Sequence, residues 1–239
     1  MPDAQNRPKR FYETATAEPT TDGYVLTLDG RPARTPAKNP LVLPDRALGE
    51  AVAAEWAGQG ETIDPAAMPL TRIANSAIDG VAREMEAVRA ELARYAGSDL
   101  VMYRAGEPEA LLEAQAAAWD PILDWAHQAL GARFLLSEGV TFVAQPETSL
   151  ARIEEALARE TSPFRLAALH VITTLSGSVL LALKLAAGAI DAEAAWRTAH
   201  VDELFQESRW GLDAEAAERR EKRKAEFMAA ARVLELTSR

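Results

Sequence analysis

A chain of 239 residues, with 48% hydrophobic and 26% charged side chains, is long enough to bury a substantial core as one large domain or two modest ones. Its formal net charge of −10 argues against general binding to nucleic acid, because phosphate backbones select cationic surfaces. The absence of cysteine excludes disulfides, thiolate catalysis and zinc–sulfur sites, and it favours a reducing compartment.

The sequence has no segment that predicts export or membrane insertion. Residues 1–13 are charged and contain no apolar run, so we expect no secretory signal. The most apolar window, Val171–Leu183, is too short to span a bilayer and predicts a buried helix. We therefore expect a cytoplasmic protein that is not integral to a membrane.

The first part of the chain is typical of β-structure. Arg10–Ala17 and Tyr24–Leu28 carry strand-forming residues, and Asp29-Gly30 is a favoured two-residue hairpin turn. The return strand Arg31–Thr35 contains Pro32, which lacks an N–H and therefore marks an edge of the sheet.

Three cations, Arg31, Arg34 and Lys38, accompany this return strand. Charge and proline protect an edge strand against unwanted pairing, which is one interpretation. A peptide-docking edge is the other, and the sequence leaves both open. Arg31 and Lys38 are therefore candidate partner-binding residues.

Helical periodicity begins at Asp45 with a helix that we expect to end at Gly58. An apolar stripe from Ile73 to Tyr95 then predicts one long amphipathic helix. Another helix starts at about Pro108, and Asp120-Pro121 either kinks it or starts a new one. We predict a short second hairpin over Arg133–Val143 and helices over about 146–160, 163–187, 191–209 and 212–233.

These elements predict an α+β fold. A small N-terminal β-rich domain of antiparallel hairpins, residues 1–70, precedes a larger and mostly helical domain, residues 71–239.

The segment Val201–Glu215, VDELFQESRWGLDAE, concentrates five carboxylates with one cation. Glu203 and Glu207 lie one helical turn apart, a like-charge pair that costs about 0.2–0.5 kcal/mol. Three interpretations are open: a solvated helix face balanced by the basic run Glu218–Lys224, a surface for a basic partner, or a site of carboxylate catalysis.

Motifs for other chemistry are missing from the sequence. It contains no phosphate-binding glycine loop, and Ser176-Gly177-Ser178 lies in the apolar helix, where small residues allow close packing. His200 and Glu203 form an i,i+3 pair, which is half a metal site at best. We expect no catalytic residue, metal or cofactor. The alternatives are a carboxylate-dependent hydrolase, with or without a metal, centred on His200, Asp202 and Glu203, or a helical adaptor for a basic partner.

Many segments resemble one known family in their order along the chain. They are Arg10-Phe11-Tyr12, Gly23-Tyr24, Leu28 to Pro32, Thr35 to Lys38, Pro40-Leu41, Glu55-Trp56, Ile63-Asp64-Pro65, Met68 to Thr71, Asn75, Ser98-Asp99-Leu100, Tyr103-Arg104, Trp119-Asp120-Pro121, Gly177-Ser178, Asp202-Glu203, Gln206 and Trp210-Gly211. Over roughly residues 7 to 233 the chain resembles the assembly chaperones of F-type ATP synthase, whose mitochondrial and alphaproteobacterial members bind the free α subunit.

The resemblance implies a non-catalytic chaperone that holds the α subunit by its future subunit interface, without using nucleotide. It places the family's important C-terminal acid at Glu203, in one motif with Asp202, Gln206 and Trp210. On a helix, positions 203, 206 and 210 share one face. Glu13 departs from the family pattern, which has lysine there, and the missing transit peptide suggests a bacterial member.

Overall fold

The computed structural model describes residues 7–139, 141–211 and 213–237. Residues 1–6, the start of the predicted N-terminal domain, lie outside the described residues. The predicted α+β fold is confirmed, with a strand-rich N-terminal part and a larger helical part. The strands are β1 (Ala15–Thr20), β2 (Gly23–Leu28), β3 (Arg31–Pro32), β4 (Val42–Leu43), β5 (Tyr103–Arg104) and β6 (Ser137–Glu138). The helices are α1 (Arg46–Ala57), α2 (Pro69–Asp79), α3 (Met85–Tyr95), α4 (Glu109–Trp125), α5 (Glu147–Ala158), α6 (Pro163–Ser176), α7 (Val179–Ala186), α8 (Ala192–Ala199), α9 (Val201–Trp210) and α10 (Ala214–Leu236).

The N-terminal sheet is centred on β2, which pairs antiparallel with β1, β3 and β4. The predicted hairpin turn is confirmed, because Asp29 and Gly30 both have positive φ, 49° and 74°. The return strand is shorter than predicted and keeps only Arg31 and Pro32 in ladder pairing with β2. The Ala33 N–H still donates to the Leu26 carbonyl at 2.8 Å, but the Leu26 N–H donates to the Leu41 carbonyl at 3.0 Å, so the regular ladder with β3 ends there.

Helix α1 covers one face of the sheet and ends at Gly58, as predicted. Its buried Leu48 and Val52 face the core. Gly49 allows the helix to approach closely, since a Cβ at this position would lie 3.1 Å from the Cβ atoms of Ala17 and Tyr24.

The single long helix predicted over Ile73–Tyr95 is wrong. Helix α2 ends at Gly80, a 3₁₀ turn follows over Val81–Arg83, and α3 begins at Met85. Glycine is a poor helix former, and the last residue of α2, Asp79, is bonded to another part of the chain. Its carboxylate accepts hydrogen bonds from Thr35 Oγ1 at 2.6 Å and Asn39 Nδ2 at 2.8 Å.

The second predicted hairpin, Arg133–Val143, is also wrong. Strand β6 pairs in parallel with β5, which lies more than thirty residues earlier, and the Gly139 N–H donates to the Arg104 carbonyl at 2.8 Å. The sequence around Glu138-Gly139 describes the turn but not the partner strand. Val140, within the predicted hairpin, lies outside the described residues.

Two more predicted helices are interrupted. The apolar stretch 163–187 forms α6 and α7, separated at Gly177, whose φ of 72° is left-handed. Ser178 then caps α7, because its Oγ accepts the Leu181 N–H at 3.0 Å. The small residues of this motif therefore end one helix and begin another. The stretch 191–209 is interrupted at His200, between α8 and α9.

The other helical predictions agree with the structure. Helix α5 is confirmed, α10 begins at Ala214 after the undescribed Leu212, and α4 continues through Pro121. No helix in the described part of the chain is long and apolar enough to cross a bilayer.

One buried apolar cluster runs through both parts of the molecule. Glu55 on α1 also connects the N-terminal part to the helical part. Its carboxylate accepts the N–H groups of Leu70 at 2.7 Å and Thr71 at 2.8 Å at the start of α2. The division at residue 70 stays a prediction.

Candidate partner-binding surface

Buried residues before α9 and on α4 hold α9 in place. The ring of His200 stacks on Trp196, with centroids 3.7 Å apart, and its Nδ1 lies 2.9 Å from the Trp196 carbonyl oxygen. Burial lowers the pKa of His200, so the neutral ring is favoured at this position. On α4, buried Trp119 donates from Nε1 to the Thr198 carbonyl at 2.8 Å. The first turn of α9 is therefore fixed to the core.

The rest of α9 has a large surface in contact with solvent, and the helix contains no fully buried residue. Glu203 and Gln206 are exposed, Leu204 is 40% exposed and Trp210 is 79% exposed. Exposed large apolar side chains on a well-anchored helix are typical of a binding surface.

A concave site of about 450 Å³ brings together three of the four α9 residues that the sequence selected. Asp202, Glu203 and Gln206 line it, and Trp210 does not. Residues from several other elements complete the wall: α6 and its connection to α7, the end of α8 with the residue before α9, helix α10, and the turn at Leu100. These lining residues are Leu100, Thr174, Leu175, Ser176, Gly177, Ala199, His200 and Arg223.

The five carboxylates of the acidic segment have different surroundings. Glu207 forms an ion pair with Arg220, with Oε2 and Nη2 2.9 Å apart, and Glu215 forms one with Arg219. Asp202 accepts a hydrogen bond from the Gln115 side-chain amide, with Nε2 and Oδ1 2.7 Å apart. Asp213 caps the start of α10 by accepting the N–H groups of Glu215 and Ala216. Within the described residues, Glu203 alone of the five makes no hydrogen bond or ion pair.

The acidic segment therefore divides into two kinds of carboxylate. Four of them have partners within the fold, and two of those partners, Arg219 and Arg220, belong to the basic run that was expected to supply counterions. Glu203 keeps an exposed charge at the rim of a concave site, and a cationic partner group could approach it without breaking an existing bond.

His200, Asp202 and Glu203, the centre of the hydrolase alternative, line the same concave site. Two of them already have structural partners, because His200 is bonded to the Trp196 carbonyl and Asp202 to Gln115. No group of three or more His, Cys, Asp or Glu side chains among the described residues is arranged to hold a metal ion.

A second concavity, of about 430 Å³, lies beside α9 and was not predicted from the sequence. Val201, Leu204 and Phe205 form one wall, and residues of α4 and α8 form the other, namely Ala114, Ala118, Ala194, Arg197 and Thr198. The available signal was the adjacent pair Leu204-Phe205 in an otherwise polar helix. Helix α9 thus has an apolar groove as well as the acidic concave site.

The two candidate cations of the N-terminal part lie elsewhere. Arg31 lines a cavity of about 610 Å³ at the edge of the sheet. Lys38 is exposed in the loop that follows, with a left-handed φ of 69°, and its carbonyl accepts Arg34 Nη1 at 2.8 Å. Neither residue lines the concave site of Glu203.

The known proteins to which this chain is similar agree with one another in the kind of protein they describe. The family model of the ATP12 chaperone protein matches residues 9–127. The mitochondrial protein atp12 of Schizosaccharomyces pombe is 23% identical over 215 residues, which cover 85% of this chain and 74% of that protein.

Two solved bacterial structures are similar over nearly the whole chain. The Atu1473 protein of Agrobacterium tumefaciens, described as a putative chaperone, is 47% identical with a TM-score of 0.92, covering 96% of this chain and 86% of that one. Atp12 of Paracoccus denitrificans is 44% identical with a TM-score of 0.89, covering 97% of this chain and 99% of that one.

Proposed function

The chain belongs to the ATP12 chaperone family, and from this premise we propose that it assists assembly of F-type ATP synthase by holding the unassembled α subunit. The observation that carries the proposal is the exposed Glu203 at the rim of a concave site, which in the described part of the chain makes no hydrogen bond or ion pair, unlike the other four carboxylates of its segment. We place this activity in the bacterial cytoplasm and propose no catalytic step, cofactor or nucleotide for it.

The two concavities beside α9 supply complementary kinds of contact. The groove at Val201, Leu204 and Phe205 can take apolar side chains, whose burial supplies affinity. The acidic site at Asp202, Glu203 and Gln206 can take cationic or amide groups, which supply specificity and orientation. A surface of this composition suits a partner whose future subunit interface is still uncovered.

A subunit that awaits assembly exposes apolar interface, and such surface aggregates. A chaperone that binds this interface lowers the concentration of the aggregating species by mass action, and this needs no chemical energy.

We propose Trp210 as a further contact, because its 79% exposed indole offers a large rigid surface next to the acidic site in sequence. Arg31 and Lys38 are proposed contacts on the N-terminal part.

The proposal is tested with the purified chain and the α subunit diluted from denaturant, with light scattering recorded without ATP. We expect the wild-type chain to suppress aggregation at equimolar dose. Glu203→Lys should weaken binding at least about tenfold, because a buried like-charge contact replaces an attraction. Its unfolding free energy should change by no more than about 0.5 kcal/mol, since Glu203 is exposed and makes no hydrogen bond or ion pair within the described residues.

The matched control is Glu221→Lys, which reverses an exposed carboxylate on α10 that lines neither concavity beside α9. It should behave as the wild type does. An α subunit that aggregates equally with and without the wild-type chain would refute the proposed function.

A further inference from the structure

The edge of the N-terminal sheet carries cations without carboxylate partners. Within the described residues, Arg31, Arg34 and Lys38 form no ion pair, although the chain has a net charge of −10. On α10, by contrast, Arg219, Arg220, Lys222 and Lys224 pair with glutamates, and Arg223 donates to the Leu175 carbonyl. The sheet edge therefore keeps positive charge that the fold itself does not use.

Arg31 and Arg34 line the cavity of about 610 Å³ together with one carboxylate, Asp29. The oxygens of Asp29 accept the N–H groups of Glu13 at 3.0 Å and Thr14 at 2.8 Å, and these bonds lower the pKa of its carboxyl. Asp29 is therefore committed to the chain that precedes β1. Within the described residues Arg31 makes no side-chain hydrogen bond and Arg34 donates from Nη1 to the Lys38 carbonyl at 2.8 Å, so both guanidinium groups retain donors for a ligand at the cavity.

The opposite wall of the cavity is aromatic. Phe11 is 72% exposed and makes an edge contact with Tyr12, whose ring lies 5.6 Å from that of Trp56. The Tyr12 hydroxyl donates to the Trp56 carbonyl at 2.8 Å, which holds this wall in place. The Trp56 indole nitrogen is buried without a partner among the described residues, and such a donor favours an acceptor.

Protection of a sheet edge does not account for this arrangement. Pro32 and Arg31 are sufficient to block strand pairing at β3. Arg34 lies beyond that strand, and neither the cavity nor the exposed Phe11 contributes to blocking. Strand addition is also disfavoured, because Pro32 has no N–H and the Ala33 N–H is already bonded to the Leu26 carbonyl at 2.8 Å. A ligand here would be held through its side chains.

We propose that this cavity docks an acidic segment of the protein that the chain chaperones. Carboxylates of the segment pair with Arg31 and Arg34, and an apolar side chain between them covers Phe11. This inference deepens the proposed function and rests on it. The acidic site on α9 and the basic cavity at the sheet select opposite charges, so together they fix the direction in which one partner can lie.

The cavity is tested directly with two fluorescein-labelled peptides, Gly-Glu-Asp-Phe-Glu-Leu-Asp-Gly and its counterpart with lysine at the four acidic positions. At low salt the acidic peptide should bind the full chain and the lysine peptide should not. Binding should weaken at least about tenfold in Arg31→Glu/Arg34→Glu, because two attractions become repulsions. The control Arg152→Glu/Arg232→Glu changes the net charge equally at exposed cations that have their own glutamate partners, and it should bind as the wild type does.

In the peptide experiment the inference would be overturned by equal binding of both peptides, by unchanged affinity in Arg31→Glu/Arg34→Glu, or by equally effective displacement by an oligonucleotide of the same charge, which indicates a general anion site. The same variant is then tested for suppression of α-subunit aggregation, which should weaken. Full suppression by this variant would overturn the inference and leave the proposed function intact. A wild-type chain that does not bind the α subunit would refute the proposed function itself, whatever the peptides do.

Discussion

At the residue scale, the candidate site depends on which carboxylates have partners. The family resemblance selected Glu203, Gln206 and Trp210, whose spacing puts them on one face of a helix, and the first two line one concave site. Trp210 is the last residue of α9 and lies outside that lining. The hydrogen bond from Gln115 to Asp202 and the ion pair of Glu207 with Arg220 join residues from different helices, so periodicity within α9 could not predict them.

Asp99 is a second residue whose surroundings have a measurable effect. It is fully buried and accepts the N–H groups of Val101 at 3.2 Å and Leu180 at 3.1 Å. Burial raises the pKa of its carboxyl to about 6 in spite of these bonds. The folded state therefore binds this proton more tightly than the unfolded state, so the contribution of Asp99 to stability should fall as pH rises from about 4 to about 6.

Asp99→Asn isolates this effect, because asparagine does not titrate. At pH 4 we expect the variant to be less stable than the wild type by about 1–3 kcal/mol, since its amide carries two N–H donors against backbone donors where the protonated carboxyl carries one O–H. The wild type's advantage should shrink as pH rises to 7, by up to about 3 kcal/mol. Urea unfolding at several pH values measures this difference, and a difference that is constant across the range would contradict the prediction.

At the element scale, the sequence located helical segments better than it located their ends. The stretches around Gly80, Gly177 and His200 were each predicted to lie inside one helix, and each separates two helices. The apolar stripe continues across these breaks, because the residues on both sides pack into one core. The breaks shape the candidate site, since Gly177 and His200 both line the concave site of Glu203.

Gly177→Ala should destabilise the fold by about 1–2 kcal/mol, because a left-handed φ of 72° is unfavourable for a residue with a Cβ. The added Cβ would lie 3.6 Å from Leu100 Cβ, an ordinary contact, so backbone strain is the expected cause. Gly60→Ala is the control, because a Cβ at Gly60 meets nothing within 4 Å and its φ is not left-handed. Chemical denaturation of both variants measures the effect, and equal stability of the two would argue against strain at Gly177.

At the scale of the whole molecule, contacts between distant parts of the chain join the sheet to the helices. Asp79 on α2 binds Thr35 and Asn39, and Glu55 on α1 binds the first turn of α2. The buried apolar cluster is continuous across the same region. The acidic α9 and the basic cavity at the sheet edge are therefore carried on one connected core.

This continuity predicts one cooperative unfolding transition. Fluorescence, which includes Trp56 in the N-terminal part, and far-UV circular dichroism, dominated by the helices, should give coincident urea curves. Asp79→Ala should lower the midpoint of both curves together, because its three acceptor bonds join the two parts. Separate transitions would instead favour two parts that unfold independently, as the predicted division into two domains requires.

The sequence by itself determined the order and type of most elements, the hairpin turn at Asp29-Gly30, the family and the choice of Glu203. These features depend on neighbouring residues or on motifs in a fixed order, both of which are visible along the chain. The tertiary structure alone decided that β6 pairs with β5, that the long helices are interrupted, and that Asp202 and Glu207 bond to other helices while Glu203, within the described residues, makes no hydrogen bond or ion pair. Each of these depends on side chains and strands brought together from distant positions, which local periodicity does not record.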